Sequence, residues 1–185
     1  MIISTALLVR ERGARATSLD AILAHSGAPR GSVYYHFPGG REQLLREATT
    51  YAGDYVARRI ERRGGDPLAA LDVLFDDYSR NLESTDFRAG CPVVAVAIET
   101  AENGPDLRAC TLGAFDSWRR ALARALEHSG IPAGRADELA MHTIASFEGA
   151  IILSRAYHDL QPLERVRSEL RALVEAELAQ AKGPQ

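Results

Sequence analysis

Glycine and proline divide this chain into lengths that suit helices. They gather at 27–31, 38–40, 64–67, 90–92, 104–105, 130–134 and 183–184, and between them the apolar residues recur at helical spacing. No segment alternates β-branched and polar residues between turn signals, so the fold is expected to be all-α. A short first helix runs from about Ile2 to Arg12 and stops at Gly13. Thr17, with Asp20 three residues on, reads as the capping box of a second helix that ends near His25. Ser26-Gly27-Ala28 makes a tight turn, and Pro29 opens a third short helix at a point where its missing N–H does no harm. Beyond Phe37-Pro38-Gly39-Gly40 the helices lengthen. A fourth spans about Arg41 to Arg63, and a fifth starts at Asp66-Pro67 with Leu68, Leu71, Leu74, Phe75 and Tyr78 on one face. A short apolar helix from Val93 to Glu99 follows. Asn103-Gly104-Pro105 breaks the chain before three more helices, from about Asp106 to His128, Arg135 to Tyr157 and Leu163 to Ala181.

Composition excludes several classes. With 185 residues, 46% hydrophobic and 25% charged, the chain can bury a sizeable core and is not disordered. Cys91 and Cys110 are too few and too far apart for a disulfide framework or a paired-cysteine metal site, which fits a reducing cytoplasm. No apolar run approaches the ~18 residues that span a bilayer, and the apolar start lacks the basic flank of a secretion signal. The chain is therefore expected in the cytoplasm, with no membrane partner, cofactor or metal. Its net charge of −3 is unevenly spread: residues 1–47 carry six arginines and four acids, and the remainder is acidic. That asymmetry suits one end facing nucleic acid.

Two short helices joined by a glycine-containing turn make a helix-turn-helix, whose second helix enters the DNA major groove. Ile22 and Val33 can pack the pair together, and Gly27 supplies the backbone freedom of the turn. Either Tyr34 or Phe37 is expected in the small core. Arg30, Ser32, Tyr35 and His36 remain exposed on the second helix. Arginine can bond guanine O6 and N7, and the others can reach phosphates.

The run Thr17-Ser18-Leu19-Asp20-Ala21-Ile22-Leu23 and Ser26-Gly27-Ala28-Pro29-Arg30-Gly31-Ser32-Val33-Tyr34-Tyr35-His36-Phe37 resembles the DNA-binding signature of the TetR/AcrR family. The resemblance covers about the first 47 residues. It implies about nine helices, a homodimer, and loss of operator affinity when a ligand enters the C-terminal part. It also implies that Thr17 and Ser18 set a helix N-terminus against phosphate. Pro29 opens the recognition helix, Arg30, Gly31 and Ser32 face bases, Tyr35 and His36 hold the backbone, and Arg41 contacts phosphate. The chain departs from the family pattern in three ways. Gly39-Gly40 adds a residue before Arg41, Leu23 replaces a small residue, and no basic arm precedes the first helix. The Pro-Gly-Gly form, with Gly90-Cys91-Pro92-Val93, resembles the branch containing the lincomycin-resistance repressor. The domains implied are 1–46 for DNA and 47–185 for effector binding and dimerisation, in a protein associated with the nucleoid.

For an effector, the residues offer Tyr51, Tyr55, Phe75, Tyr78, Phe87, Phe115, Trp118 and Phe147, with Val94 and Ile98. As a set they imply a small hydrophobic or aromatic ligand, although the same residues are also what helix cores are made of. Ala145, Ser146, Gly149 and Ala150 permit close helix approach, with Ile152 and Leu153 beside them. Leu163, Val166, Leu170, Leu173, Val174 and Leu178 form a stripe. The expected dimer interface is Ser146, Gly149, Ala150, Leu153, Leu170, Val174 and Leu178, and the alternative is that the stripe serves only its own domain.

An enzyme is the main rival class. Nucleophile elbows, zinc-binding HExxH and phosphate-cradling glycine loops are absent from the sequence. His142 and Glu148 are six residues apart and do not share a helix face. Glu99 and Glu102 do, as solvated acids on most helices do. Cys91, just ahead of a helix, has no neighbouring cysteine for a redox switch. The reading that results is a ligand-responsive repressor on a palindromic operator. The alternative is the same fold acting as an activator, or as a ligand-binding or interaction module without DNA.

Overall fold

The structure, a computed structural model, describes residues 1–99 and 105–181. The chain breaks at Asn103-Gly104 and at 183–184, together with Glu102, lie outside the described residues. The described residues form nine helices: α1 Ile2–Arg12, α2 Leu19–Ser26, α3 Arg30–His36, α4 Gly40–Glu61, α5 Pro67–Ser84, α6 Pro92–Glu99, α7 Pro105–His128, α8 Ala133–Tyr157 and α9 Gln161–Ala181. The all-α expectation holds, and most boundaries fall within two residues of those read from the sequence.

Local chemistry explains the ends. Asp66 accepts hydrogen bonds from the Leu68 and Ala69 amides, and Pro67 fills the first helical position, so α5 starts where expected. Gly27 takes a left-handed φ of 65° and its amide closes α2 on the Leu23 carbonyl. One start differs. The N-cap of α2 is Ser18, whose hydroxyl accepts from the Ala21 amide at 3.1 Å. Thr17 is fully buried and donates its hydroxyl to the Gly13 carbonyl at 2.8 Å, so it cannot form the capping box predicted for it.

Packing divides the chain into two compact units. The first comprises Met1–Asp54 and Ala89–Ala114; the second comprises Tyr55–Arg88 and the residues from Phe115 on. The division falls inside α4 and α7 and does not follow a single cut at residue 46. The physical reason lies in one apolar cluster of the first unit, where Val96 of α6 and Leu107 of α7 pack with Val9, Ala14 and Leu45. A backbone bond from the Gly90 amide to the Arg10 carbonyl and a Glu99 carboxylate that accepts from the Arg15 amide fasten this region to α1 and the loop after it. In the second unit α5 and α8 pack on α9. Phe75, Trp118, Phe147, Ile151 and Leu163 are among its fully buried side chains.

Candidate nucleic-acid interface

Ile22 of α2 and Val33 of α3 are both fully buried, as the packing of a helix-turn-helix requires. Ile22 sits with Leu8 and Leu44 in a cluster that Phe37 joins from the end of α3. Phe37, not Tyr34, is therefore the aromatic that serves the small core. Tyr34 is 68% exposed and Tyr35 82%. Tyr35 packs edge-on against His36 with ring centroids 4.8 Å apart. Tyr34, expected only as a candidate for the core, thus stands outside; it follows buried Val33 by one residue, and that spacing is the signal in the sequence for its exposure.

At the other end of α3, Pro29 is the N-cap and Arg30 the first helical residue. The Arg30 guanidinium pairs with the Asp20 carboxylate of α2, and both side chains are mostly exposed. A Cβ added at Gly31 would meet open space, so the fold itself does not require glycine there. Ser32 is half-buried and Ser18 exposed.

The extra residue before Arg41 is absorbed in a turn. Gly40 adopts a φ of 59° and its amide bonds the Phe37 carbonyl at 2.7 Å, while the Gly39 amide bonds Gln43 Oε1 at 2.9 Å. Arg41 then points back beneath α2. Its Nε donates to the Thr17 carbonyl at 2.7 Å and its Nη2 to the Ala14 carbonyl. Arg41 was expected to reach phosphate; its fork instead ties the start of α4 to the loop before α2. Buried Thr17 likewise offers no side chain to a partner. Of the predicted DNA-facing residues, Ser18, Pro29, Arg30, Gly31, Tyr35 and His36 are exposed and Ser32 is half-buried.

Residues 2–48 match the family described as bacterial regulatory proteins, tetR family, and residues 67–169 match the transcriptional regulator LmrA/YxaF-like C-terminal domain. The chain belongs to the TetR family. It is 50% identical over 184 residues to an HTH-type transcriptional regulator of Mycobacterium tuberculosis, covering 96% of this chain and 94% of that one. It is 33% identical to the HTH-type transcriptional regulator LmrA of Bacillus subtilis, covering 87% of each. Its fold is similar to that of a TetR transcriptional regulator from Legionella pneumophila, with a TM-score of 0.83, 22% identity and coverage of 93% and 94%. The chain is thus a helix-turn-helix transcriptional regulator, and its family is one of regulators and not of enzymes. Among the described residues, no helix is long and apolar enough to cross a membrane.

The TetR C-terminal residues proposed for a ligand divide between the two units. Tyr51, Val94 and Ile98 belong to the first, and Ile98 is 69% exposed. Tyr55, Phe75, Tyr78, Phe87, Phe115, Trp118 and Phe147 belong to the second. Phe147 receives Phe75 and Tyr78 edge-on, with centroids 5.1 and 4.9 Å away, and Phe115 stands edge-on to Trp118 at 5.4 Å. Phe87 lies elsewhere, its ring tilted at 45° to that of His158 with centroids 4.7 Å apart, beside a surface cavity of about 560 Å³ that Arg155 and Ile152 also line. Of the predicted interface residues, Ala150, Leu170 and Val174 are buried within the chain itself and have no surface left to bury against a second copy. That part of the stripe serves its own domain. Ser146, Gly149 and Leu178 are half-buried, and Leu153 is 47% exposed.

Proposed function

We propose that this TetR-family regulator is a ligand-responsive repressor, which binds a palindromic operator as a homodimer and is released by a small hydrophobic or aromatic effector. The observation that carries the DNA-binding part is the outer face of α3. Tyr34, Tyr35, Arg30 and His36 stand out from a seven-residue helix whose buried residue is Val33 alone. Large aromatics left in water do nothing for folding, and clustered exposure of this kind marks an interaction surface. On a duplex, Arg30 reads a guanine edge while Gly31 and Ser32 let α3 approach the bases. Tyr34, Tyr35 and His36 bond phosphates, and Ser18 brings the start of α2 to the backbone. Thr17 and Arg41 act indirectly, by fixing the loop that aims α2, and Pro29 sets where α3 begins. Residues 1–46 are the DNA-reading segment in this proposal, and 47–185 the effector and dimer segment.

So short a recognition helix makes few contacts, and pairing on a palindrome doubles them. The exposed apolar residues Met141, Ile152, Leu153 and Tyr157 of α8 support pairing through that helix, with Ser146 and Gly149 small enough for close approach. Leu178 of α9 adds to it, and Ala150, Leu170 and Val174 support the face from beneath. The aromatic interior of the second unit favours an apolar effector, and a predominantly charged one contradicts the proposal. Linkage requires effector and DNA to weaken each other equally, typically ~5–150-fold. The proposed lever is α4, which follows directly on the helix-turn-helix; its pivot changes the spacing of the two recognition helices. Such a protein works in the cytoplasm, on the nucleoid.

The experiment is selection of bound duplexes from a random DNA library by the full chain at two salt concentrations. An enriched inverted repeat, recovered less well as salt rises, is the expected result. Failure to enrich any sequence overturns the repressor reading and leaves a ligand-binding or interaction module. An enriched site that raises transcription of a linked reporter makes the protein an activator.

A further inference from the structure

The first turn of α2 carries an acid where the DNA-binding reading sets protein against phosphate. Asp20 is the second residue of that helix, where the helix dipole favours it. A carboxylate at a nucleic-acid surface nonetheless repels the duplex. Its partner resolves the contradiction. Asp20 pairs with the Arg30 guanidinium, ten residues on and at the start of α3. So exposed a pair contributes little to folding in water. Its effect is geometric. Arg30 has a long side chain with many rotamers, and the carboxylate holds its fork beside the opening of α3. A guanidinium carries five N–H donors. Asp20 engages Nη2, and no other hydrogen bond of the Arg30 side chain is seen among the described residues. The remaining donors can meet a base edge while the pair stays intact. Bringing the pair against DNA removes water from it and strengthens the hold.

We infer that Asp20 is a positioning residue, which presents the Arg30 guanidinium to one base pair of each half-site and sharpens the preference for guanine there. The same carboxylate lowers affinity for unrelated sequence, because a positioned Arg30 is withheld from stray phosphates. This inference rests on the DNA-binding reading above.

The test uses the full chain and the duplex it recovers from the random library, with every single base-pair variant of that duplex. Arg30→Ala identifies the pair that Arg30 reads, by abolishing the preference there. Asp20→Ala is expected to reduce the preference at that same pair roughly tenfold while preferences elsewhere stay within about twofold. Against random duplex, Asp20→Ala should bind more tightly, with its salt dependence steepened by about 1.8 in log K against log salt, because the dimer frees two Arg30 side chains for phosphate. Asp20→Glu should restore the preference. The inference is overturned if Asp20→Ala weakens all variants equally, as a purely structural residue would. It is also overturned if the preference survives Asp20→Ala, or if Arg30→Ala relaxes no pair. A parent chain that recovers no duplex sinks the DNA-binding reading and this inference together. A parent that recovers one, with Asp20→Ala unchanged, sinks the inference alone.

Discussion

At the start of α4, Arg41 supplies donors to two loop carbonyls, that of Thr17 and that of Ala14, which also accepts from the Thr17 amide at 3.2 Å. Deleting the donors leaves acceptors whose solvation the fold has already reduced. Arg41→Ala is expected to lower the unfolding free energy by about 1–3 kcal/mol, read by urea denaturation, and to weaken DNA binding at every operator position alike. Arg41→Lys should recover little of this, because an ammonium cannot span both carbonyls as a planar fork does. Full stability of either variant would show that the tie is dispensable. The same loop depends on Gly13, whose φ of 84° and ψ of 166° lie in a region open essentially to glycine alone. A Cβ there would also collide with the Glu99 carboxylate, which bonds the Arg15 amide at 2.6 Å. The loop that leads into α2 is thus held by Arg41 of α4 and by Glu99 of α6.

Helices α4 and α7 cross closely at Gly53 and Ala114. A Cβ built at Gly53 would stand 2.5 Å from the Ala114 Cβ and 2.9 Å from its Cα, and backbone cannot yield as a side-chain tip can. Helix propensity alone makes alanine the better residue by about 1 kcal/mol. Overpacking opposes it, typically by about 1–3 kcal/mol. Gly53→Ala is therefore expected to lower the melting temperature, and a rise would mean that the crossing is looser than it stands here. Between α5 and α9 the tie is ionic. Arg167 bonds both Asp72 and Asp76, and Arg171 bonds Asp72 at 2.7 Å. Burial disfavours the charge on Asp72, but the hydrogen bonds from Arg167 and Arg171 outweigh it and hold the carboxyl below its ordinary value. A carboxylate whose pKa is depressed by folding stabilises the fold above its unfolded pKa, and that stabilisation is lost as pH falls through the folded value. The second unit should accordingly lose stability in acid below about pH 4. Asp72→Asn should be less stable at neutral pH and show a shallower acid dependence, measured by denaturation across pH. An unchanged acid slope would exclude Asp72 as a source.

For the molecule as a whole, the exposed apolar face of α8 bears on whether the regulator acts as a pair. Leu153→Asp places a charge on that face without disturbing a buried side chain. If α8 pairs two copies, the variant should sediment as a monomer with its helix content intact and lose most operator affinity, since one short recognition helix holds a half-site weakly. A dimer that persists unchanged would move the interface elsewhere. Trp118 offers the effector assay. It is the one tryptophan of the chain and is buried in the second unit, so its emission should respond to apolar compounds that enter that interior.

The all-α class, the succession of helices and the place of the helix-turn-helix are legible in the order of residues alone. Those properties rest on information carried within a few residues: the spacing of apolar positions, the left-handed turn at Gly27, the cap at Asp66. The signature from Thr17 to Phe37 was dense enough to point to the family. Other properties depend on which faces meet in the folded chain. Phe37 rather than Tyr34 enters the core, because it packs against the cluster of Leu8, Ile22 and Leu44, residues distant from it in the chain. Thr17 turns inward and leaves the cap to Ser18, since both hydroxyls suit the position and only the Gly13 carbonyl separates them. Residues 89–114 pack with the N-terminal helices although they lie far along the chain, because Val96 and Leu107 complete a cluster begun by Val9 and Leu45. Arg41 is a tie, Gly53 a crossing point and Ala150, Leu170 and Val174 core residues for the same reason. Each is fixed by partners distant in sequence, and helical periodicity says which side of a helix is apolar without saying what will cover it.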